Sequence, residues 1–213
     1  MRIIAGHLDA RILRVFNLGD KERMELITLR AFSGLASSGS FLLKSHRQNS
    51  VTVVSDCKGA IAVTLQPKGY DIITAYRIEK QGNLRYTVLG LAGKLTGVAA
   101  LDGKPSITPN GKGSITLKMN LKALGVLSMY TFRSHELRTN IMIDIWVEKA
   151  DQYLAKNLLI ATFRVGEQSV DVNMTAASSS LIHLDLEQAW ECVANKSIAS
   201  SCILSIQLHI GSL

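Results

Sequence analysis

Apolar residues recur at every second position through much of this chain, and this alternation restricts the possible folds more than any other feature. In KGSITLKMNLKALGV, residues 112–126, four apolar residues alternate with four polar ones: Ile115, Leu117, Met119 and Leu121 against Ser114, Thr116, Lys118 and Asn120. A period of two is typical of a β-strand with one buried and one exposed face. We therefore expect Leu117 to be buried and Lys118 to be at the surface.

From Ser50 onward, short β-rich segments follow one another at regular spacing, separated by Gly, Asn, Pro and Ser. They are SVTVVSD, AIAVTLQP, YDIITAYRIEK, LRYTVLGLAG, GSITLKMNL, TNIMIDIWVEK, NLLIATFRV, QSVDVNMT and CILSIQLHI. A hairpin turn is predicted at Gly82 and Asn83, because both residues tolerate the positive φ that tight hairpins require. Many short strands at this spacing favour an antiparallel sandwich or barrel over a βαβ sheet.

Residues 1–83 are expected to form an extension with β-strands and one helix at about residues 20–34. Asp20 is suited to cap the start of this helix, and Gly34 to end it. Four apolar residues would share one helical face: Met24, Ile27, Ala31 and Phe32. Before this helix, ARILRVF fits a short strand or the approach to the helix, and after it SGLASSGS fits a loop or hinge.

One segment near the C-terminus fits two structures. In HLDLEQAWECVANK, Asp185 is suited to cap a helix, but WECVA also suits a strand. Helical spacing alone does not decide between them.

Positive charge is unevenly distributed along the chain. The net charge of the 213 residues is +7, yet residues 1–150 contain 21 Lys and Arg against 11 Asp and Glu, whereas residues 151–213 contain 3 against 6. A basic surface suits contact with RNA or an acidic membrane, because Lys and Arg neutralise phosphates. An ordinary solvated basic surface explains the same counts equally well.

The sequence contains no clear motif for catalysis or for binding a metal or cofactor. GLAGKLTG, residues 90–97, invites comparison with a phosphate-binding loop, but Val88 and Leu95 stand where that motif requires Gly and Ser or Thr. The histidines occur singly, and the three cysteines form no CxxC pair: Cys57, Cys192 and Cys202. We expect no catalytic residue, metal, cofactor or small-molecule substrate, and no enzyme activity.

The sequence also predicts a soluble protein made in the cytosol. No stretch approaches the roughly 18 uninterrupted apolar residues of a membrane-spanning helix. Met1 to Asn17 carries charged residues where a signal peptide would be apolar.

The C-terminal part, residues 84–213, resembles a virus coat-protein domain, in particular the small coat protein of comoviruses and their picorna-like plant-virus relatives. The resemblance lies in KGSITLKMNLKALGV, in IMIDIWVEK and in WECVANKSIASSCILSIQLHI. In the last of these, an aromatic-Glu-Cys-Val-Ala strand precedes a short loop and a final alternating strand. VLGLAGKLT would be the first strand of that domain.

This resemblance implies a mainly all-β fold, an antiparallel jelly-roll β-sandwich of two four-stranded sheets with an N-terminal helix-containing extension. Its strands would lie near residues 85–95, 112–122, 126–133, 139–148, 157–164, 168–175, 187–194 and 202–210. On this interpretation WECVA is a strand.

The function that the resemblance implies is that of a capsid subunit, found in the virion and made in the host cell cytoplasm. Its partners would be copies of itself, other coat proteins and a single-stranded RNA genome, so that function lies in interfaces and not in a pocket. Four basic residues of the extension are candidates to face RNA: Arg11, Arg14, Lys44 and Arg47.

Two alternatives stay open. Plant-virus movement proteins of the thirty-kilodalton superfamily look like jelly-roll derivatives with extra N-terminal elements. A movement or matrix-type protein would bind RNA or an acidic membrane without forming a closed shell. However, the Asp that movement proteins carry after their central strand is not visible in ITLKMNLK, which has Asn120. The second alternative is an unrelated β-rich binding module, or an enzyme whose site assembles from distant residues.

Overall fold

The computed structural model describes residues 2–7, 10–32, 34–35, 39–55, 59–92, 97–110, 114–121, 142–165, 167–189 and 204–211. Most of them lie in antiparallel β-strands arranged in sandwich-like sheets, so the prediction of a mainly all-β fold is confirmed. The chain divides into two compact units, Met1–Glu79 and Lys80–Leu213. The sequence placed this boundary four residues later, after residue 83.

The first unit contains seven strands: β1 (Arg2–His7), β2 (Ala10–Phe16), β3 (Arg23–Thr28), β4 (Ser40–Ser45), β5 (Ser50–Ser55), β6 (Ala60–Leu65) and β7 (Tyr70–Arg77). Five of them form one sheet in the order β1-β2-β7-β4-β5, and β3 pairs with β6 in a separate two-stranded sheet. β7 is the central strand of the larger sheet, and every residue from Asp71 to Tyr76 is buried.

Both sheets of the first unit contribute to one hydrophobic core. The larger sheet supplies Leu13, Val15, Phe41, Leu43, Val54, Ile73 and Ala75, and the smaller sheet supplies Ile27, Ile61, Val63 and Leu65. These residues alternate along their strands with residues on the opposite face, as a strand geometry requires. The segment ARILRVF therefore forms a strand, one of the two structures that its sequence fits.

The helix predicted at about residues 20–34 is wrong. Residues Arg23–Thr28 form β3, which pairs with β6 over six consecutive residues, and Leu29–Ala31 form a 3-10 turn. A helix would place Met24 and Ile27 on one face, whereas in the strand they lie on opposite faces: Ile27 is buried and Met24 is 72% exposed. Pairing with β6 and burial of Ile27 outweigh the helical pattern of the local sequence.

The second unit contains the remaining described strands: β8 (Glu79–Gln81), β9 (Leu84–Leu91), β10 (Ser106–Pro109), β11 (Ile115–Leu121), β12 (Met142–Val147), β13 (Leu159–Val165), β14 (Gln168–Asp171), β15 (Asn173–Ser178), β16 (Leu181–Asp185) and β17 (Leu204–Ile210). One sheet has the order β10-β11-β17-β13-β14 and the other the order β15-β16-β12-β9-β8. A short helix, α1 (Ala150–Ala155), joins β12 to β13.

Most of the strands predicted for this unit are present. Five predicted segments overlap the observed strands β9, β11, β12, β13 and β17: those near 85–95, 112–122, 139–148, 157–164 and 202–210. The segment 168–175 contains two strands, β14 and β15, where one was predicted. The predicted turn at Gly82 and Asn83 joins β8 to β9, and Gly82 has a φ of 60°.

The strand predicted near 187–194 is wrong at its start, because residues 186–189 are helical. The carboxylate of Asp185 accepts a hydrogen bond of 2.9 Å from the backbone N–H of Glu187, as an N-cap residue does. The rest of this segment, residues 190–194, and the strand predicted near 126–133 lie outside the described residues.

The predicted faces of β11 are confirmed. Ile115, Leu117 and Met119 are buried, whereas Lys118 and Asn120 are exposed. β11 pairs with β17 along its whole length, and Leu117 lies opposite Leu208, which is also buried. The alternating residues of the sequence therefore line a core on one side and face solvent on the other.

The two units repeat one topology. The larger sheet of the first unit, β1-β2-β7-β4-β5, has the same order as β10-β11-β17-β13-β14 when β8, β9 and β15, which have no counterpart in the first unit, are left out of the numbering. The pair β3-β6 corresponds in the same way to β12-β16. All of these pairings are antiparallel in both units. In the second unit, β12 also pairs with β9 on its other edge.

Candidate nucleic-acid interface

Strand β2 carries the first part of the candidate interface. Leu13 and Val15 point into the core of the first unit, so Arg14 and Phe16 lie on the opposite face of the sheet. Phe16 is paired with Tyr70 at the start of β7, and Arg14 is paired with Ile72. Alternation along β2 and its register with β7 therefore place a guanidinium and two aromatic rings on one face.

Two of the four predicted RNA-facing residues meet at Tyr70. The guanidinium carbon of Arg14 lies 5.4 Å from the centroid of the Tyr70 ring and 5.8 Å from that of Phe16. The guanidinium carbon of Arg47 lies 4.9 Å from the Tyr70 centroid. The two rings are tilted by 40° with centroids 6.1 Å apart. We call these four residues, Arg14, Phe16, Arg47 and Tyr70, the Tyr70 cluster.

The buried carboxylate of Asp71 holds the turn that carries Arg47. Its Oδ1 accepts hydrogen bonds from the backbone N–H groups of Arg47, at 3.1 Å, and Ile72, at 2.6 Å. Its Oδ2 accepts one of 2.5 Å from the Ser45 hydroxyl, whose oxygen in turn accepts one of 3.1 Å from the backbone N–H of Gln48. The β4–β5 turn is thereby attached to β7, next to Tyr70.

Lys44 and His46 lie beside this turn. Lys44 is opposite Thr74 in the pairing of β4 with β7, and the Nε2 atom of His46 is 2.8 Å from the Thr74 hydroxyl oxygen. Burial lowers the pKa of His46 below 6.5, and the positive charge of Lys44 lowers it further, against the opposite effect of Asp71. His46 is therefore mainly neutral at pH 7, and the positive charge comes from the Arg and Lys side chains.

Arg11 is not part of the Tyr70 cluster. It lies on the same face of β2 as Leu13 and is paired with the core residue Ala75. Its guanidinium donates a hydrogen bond of 3.1 Å to the carbonyl oxygen of Ala10. The structure therefore brings Arg14 and Arg47 together, places Lys44 close to the same turn, and puts Arg11 on the other face.

The Tyr70 cluster combines aromatic rings with two positively charged guanidinium groups. Tyr70 is 41% exposed and Arg47 is exposed, so both are accessible to a ligand. Aromatic rings and the guanidinium planes that lie over them can both stack on nucleobases, and guanidinium groups bind phosphate oxygens through paired hydrogen bonds. Such a contact does not depend on base identity, because every base has a face that stacks.

Sequence reasoning missed Phe16, Tyr70 and Asp71. The alternation in RILRVF already places Arg14 and Phe16 on one face, so this pair was predictable from the strand pattern. The approach of Tyr70 depends on the pairing of β2 with β7, which joins residues far apart in sequence. That pairing has no signal in a single sequence.

A second polar pair, with one buried member, lies in the second unit. Asp144 on β12 is opposite His183 on β16, and its Oδ1 atom is 2.6 Å from Nδ1 of His183. Asp144 is almost completely buried, whereas His183 is partly exposed. The pair joins neighbouring strands across 39 residues of sequence, and it contributes to the stability of that sheet.

Comparison with models of known protein families gives no match, and comparison with curated proteins also gives none. In the part of the chain that the structure describes, no three His, Cys, Asp or Glu side chains are grouped as metal ligands would be. Nor does a described helix have the length and apolar content needed to cross a membrane. The resemblance to coat proteins and the function that it implies stay predictions.

Proposed function

We propose that this chain is a viral structural protein, a capsid subunit that assembles with copies of itself and with other coat proteins around a single-stranded RNA genome. The observation that carries this proposal is the strand topology, which occurs twice along the chain. Double-sheet jelly rolls are typical of viral capsid domains, although lectins and cupins also use them. In this role the protein is made in the host cell cytoplasm and is found in the virion.

The topology of the second unit supports a jelly-roll assignment. In an eight-stranded jelly roll, strands 1, 8, 3 and 6 form one sheet and strands 2, 7, 4 and 5 form the other. Three strands of one sheet correspond to the first, third and sixth strands of a jelly roll: β9, β12 and β16. β11, β17, β13 and β14 fit the second, seventh, fourth and fifth, in that spatial order.

The second unit departs from the eight-stranded arrangement in having three further strands, β8, β10 and β15, and in the place of the eighth strand. The eighth strand would lie between the first and third, but β9 and β12 pair directly, with Val147 opposite Tyr86 and Ile143 opposite Leu91. β17, which the sequence assigned to the last strand of a jelly roll, occupies the position of the seventh. The first unit has the strand order of positions 2, 7, 4 and 5 as well, in β2, β7, β4 and β5.

The Tyr70 cluster supports the RNA part of the proposal. It combines two Arg side chains with an exposed ring on one sheet face, in the more basic part of the chain. Phosphate contacts from Arg provide affinity that does not depend on sequence, and a coat protein that packages a whole genome needs this kind of contact.

A second candidate is a movement or matrix-type protein with a jelly-roll-derived fold. The direct pairing of β9 with β12 favours it, because a derivative of the jelly roll need not retain all eight strands. Such a protein would use the Tyr70 cluster on RNA or on an acidic membrane without forming a closed shell. A β-rich binding module of another kind would not form particles.

Electron microscopy of the protein after size-exclusion chromatography, with and without single-stranded RNA, tests the proposal. Closed particles of uniform size, formed by the chain alone or together with partner coat proteins, are the expected result. Tubules or irregular RNA-bound oligomers would favour the movement-protein candidate. A small species that ignores RNA and partner coat proteins would overturn both.

A matched pair of variants links assembly to the Tyr70 cluster. Replacing Arg14 and Arg47 with Gln should reduce the RNA content of the particles without unfolding the protein. Lys80 and Lys156 are exposed and lie outside the cluster. Replacing both with Gln removes the same amount of positive charge and should leave the RNA content of the particles nearly unchanged. Equal RNA content in both double variants would place the RNA-binding surface elsewhere.

A further inference from the structure

Strand β3 has one edge that pairs with β6 and another edge that pairs with no strand in the described part of the chain. It is six residues long, regular in register and free of Pro and Lys. Proteins usually protect an exposed strand edge with Lys, Pro, a bulge or a short length, because an open edge recruits further strands. β3 lacks these four forms of protection, and its two charged residues, Arg23 and Glu25, have opposite signs, so they can pair with a complementary strand.

The topological repeat shows what occupies the equivalent edge in the second unit. Ile27 on β3 lies opposite Ile61 on β6, as Ile145 on β12 lies opposite Ile182 on β16. By strand order β3 corresponds to β12, and β12 has β9 paired antiparallel along its other edge. The same edge of β3 has the geometry to accept one more antiparallel strand.

The outward face of β3 is apolar. Met24 and Leu26 are two residues apart on that face, with 72% and 64% of their surfaces exposed. The opposite face of β3, which carries Arg23 and Glu25, lines an open cavity of about 410 Å³ together with Phe16, Asn17, Leu18, Gly19 and Leu65. Apolar side chains exposed next to an unpaired strand edge are typical of a surface that binds another polypeptide.

We infer that this edge binds β3 of a second copy of the chain, antiparallel and centred on Met24. In that register Met24 lies opposite Met24 of the other copy. The Leu26 side chain of each copy is then the diagonal neighbour of Met24 in the other copy. Arg23 then lies opposite Glu25 of the other copy, twice across the two-fold axis. Opposite charges at directly facing positions stabilise an antiparallel pair, and this self-complementarity selects a second copy as the occupant.

The paired edges form one four-stranded sheet in the order β6-β3-β3-β6. A two-fold contact of this kind is isologous, since the same surface is used by both copies. The inference rests on the proposed function, because it names a surface through which a capsid subunit meets its own copies. It also predicts association of the purified chain without RNA.

Sedimentation velocity over a range of protein concentrations measures this association. Met24→Lys would remove the apolar contact at the centre of the interface and place two ammonium groups against each other there, and should weaken dimerisation by about tenfold. Ile160→Lys is the control, because Ile160 is 54% exposed on β13, a strand that already has a neighbour on each edge. Circular dichroism melting checks that both variants are folded.

Charge exchange tests the register. Arg23→Glu and Glu25→Arg should each weaken the dimer by bringing like charges together, and the double variant should restore it. Rescue by the double variant supports the register centred on Met24. A dimer that none of these substitutions changes overturns the inference.

The two proposals fail separately. A wild-type chain that is monomeric without RNA, or a dimer as sensitive to Ile160→Lys as to Met24→Lys, overturns the β3 contact. Particles that still form with RNA in that case leave the capsid proposal intact. Failure to form particles, together with a β3-dependent dimer, overturns the capsid function and leaves the contact in place.

Discussion

The hydroxyl of Ser45 donates a hydrogen bond of 2.5 Å to the carboxylate of Asp71, and both side chains are buried. Asp71 also accepts hydrogen bonds from two backbone N–H groups, one of them that of Arg47. A buried carboxylate requires such partners, because its desolvation is otherwise unfavourable. The position of Arg47 over Tyr70 therefore depends on a polar network inside the first unit.

Removing the Ser45 hydroxyl should destabilise the protein and displace Arg47. Ser45→Ala leaves one carboxylate oxygen without this donor, and should lower the free energy of unfolding by about 1.5 to 3 kcal/mol. Ser40→Ala is the control, since Ser40 bonds to Ser55 in an exposed pair. Urea denaturation measures both variants, and equal losses would show that the Asp71 network does not carry this stability.

RNA affinity should depend on salt through Arg14 and Arg47. If each binds one phosphate, replacing both with Gln should reduce the slope of log K against log salt by about 1.4 for single-stranded RNA. Fluorescence anisotropy with a labelled RNA measures this slope. Tyr70→Ala should instead weaken binding by about 1 to 3 kcal/mol at every salt concentration, because it removes stacking and not charge.

Arg11 provides a further test of this assignment. It lies on the other face of the sheet, so Arg11→Gln should leave the contribution of the Tyr70 cluster intact. If Arg11→Gln reduces the slope of log K against log salt as much as Arg14→Gln does, Arg11 also contacts RNA. That result would contradict the division of the four basic residues between two faces. Lys44→Gln should have an intermediate effect, because Lys44 lies beside the turn that carries Arg47.

Protonation of His46 should destabilise the folded protein. Burial and the charge of Lys44 lower the pKa of His46 in the folded state below its ordinary value of 6.5. The unfolded chain then binds the proton more readily, so the contribution of His46 to stability is complete above pH 6.5 and is lost as the pH falls through the folded-state pKa.

His46→Gln should remove this part of the pH dependence. Denaturation curves on both sides of pH 6.5 measure it, and the difference between wild type and variant isolates His46 from the other titrating groups. His209→Gln is the control, because it removes a histidine from an exposed hydrogen-bonded group in the second unit. An unchanged pH profile in His46→Gln would contradict the proposed effect of burial.

The strands were largely predictable from sequence, because alternation records which face is buried. β11 is the clearest case: Leu117 and Lys118 have the environments that their order predicts. β3 was not predictable in this way, since Met24, Ile27 and Ala31 also satisfy a helical spacing. The partner strand β6, more than thirty residues away, decides between the two structures.

The candidate interface was predictable only in part. Charge identified Arg14, Lys44 and Arg47, and the strand pattern places Arg14 beside Phe16. The Tyr70 ring reaches them through pairing of β7 with both β2 and β4, an arrangement that depends on the order of strands in the sheet. Likewise, Asp144 and His183 meet through the pairing of β12 with β16.

Opposite results are expected for neighbouring substitutions on β11. Leu117→Asp places a charge among buried apolar residues, with a cost of several kcal/mol, about 3 or more, and should abolish soluble folding. Lys118→Asp places the same charge in solvent and should fold. Expression of both variants and comparison of their soluble fractions test the assignment, which equal solubility would contradict.

Gly90 and Gly103 should respond very differently to the same substitution. Both have a positive φ, 84° and 76°, so Ala at either position costs about 1 to 2 kcal/mol of backbone strain. At Gly90 the added Cβ would also lie 2.2 Å from the carbonyl carbon of Gly97, whereas at Gly103 it meets nothing within 4 Å. The backbone near Gly97 would have to move to relieve this overlap.

Gly90→Ala should therefore lower the free energy of unfolding by at least about 3 kcal/mol, and Gly103→Ala by no more than the strain alone. Thermal and urea denaturation of the two variants measure the difference, and similar losses would mean that the backbone at Gly97 does not pack closely against Gly90.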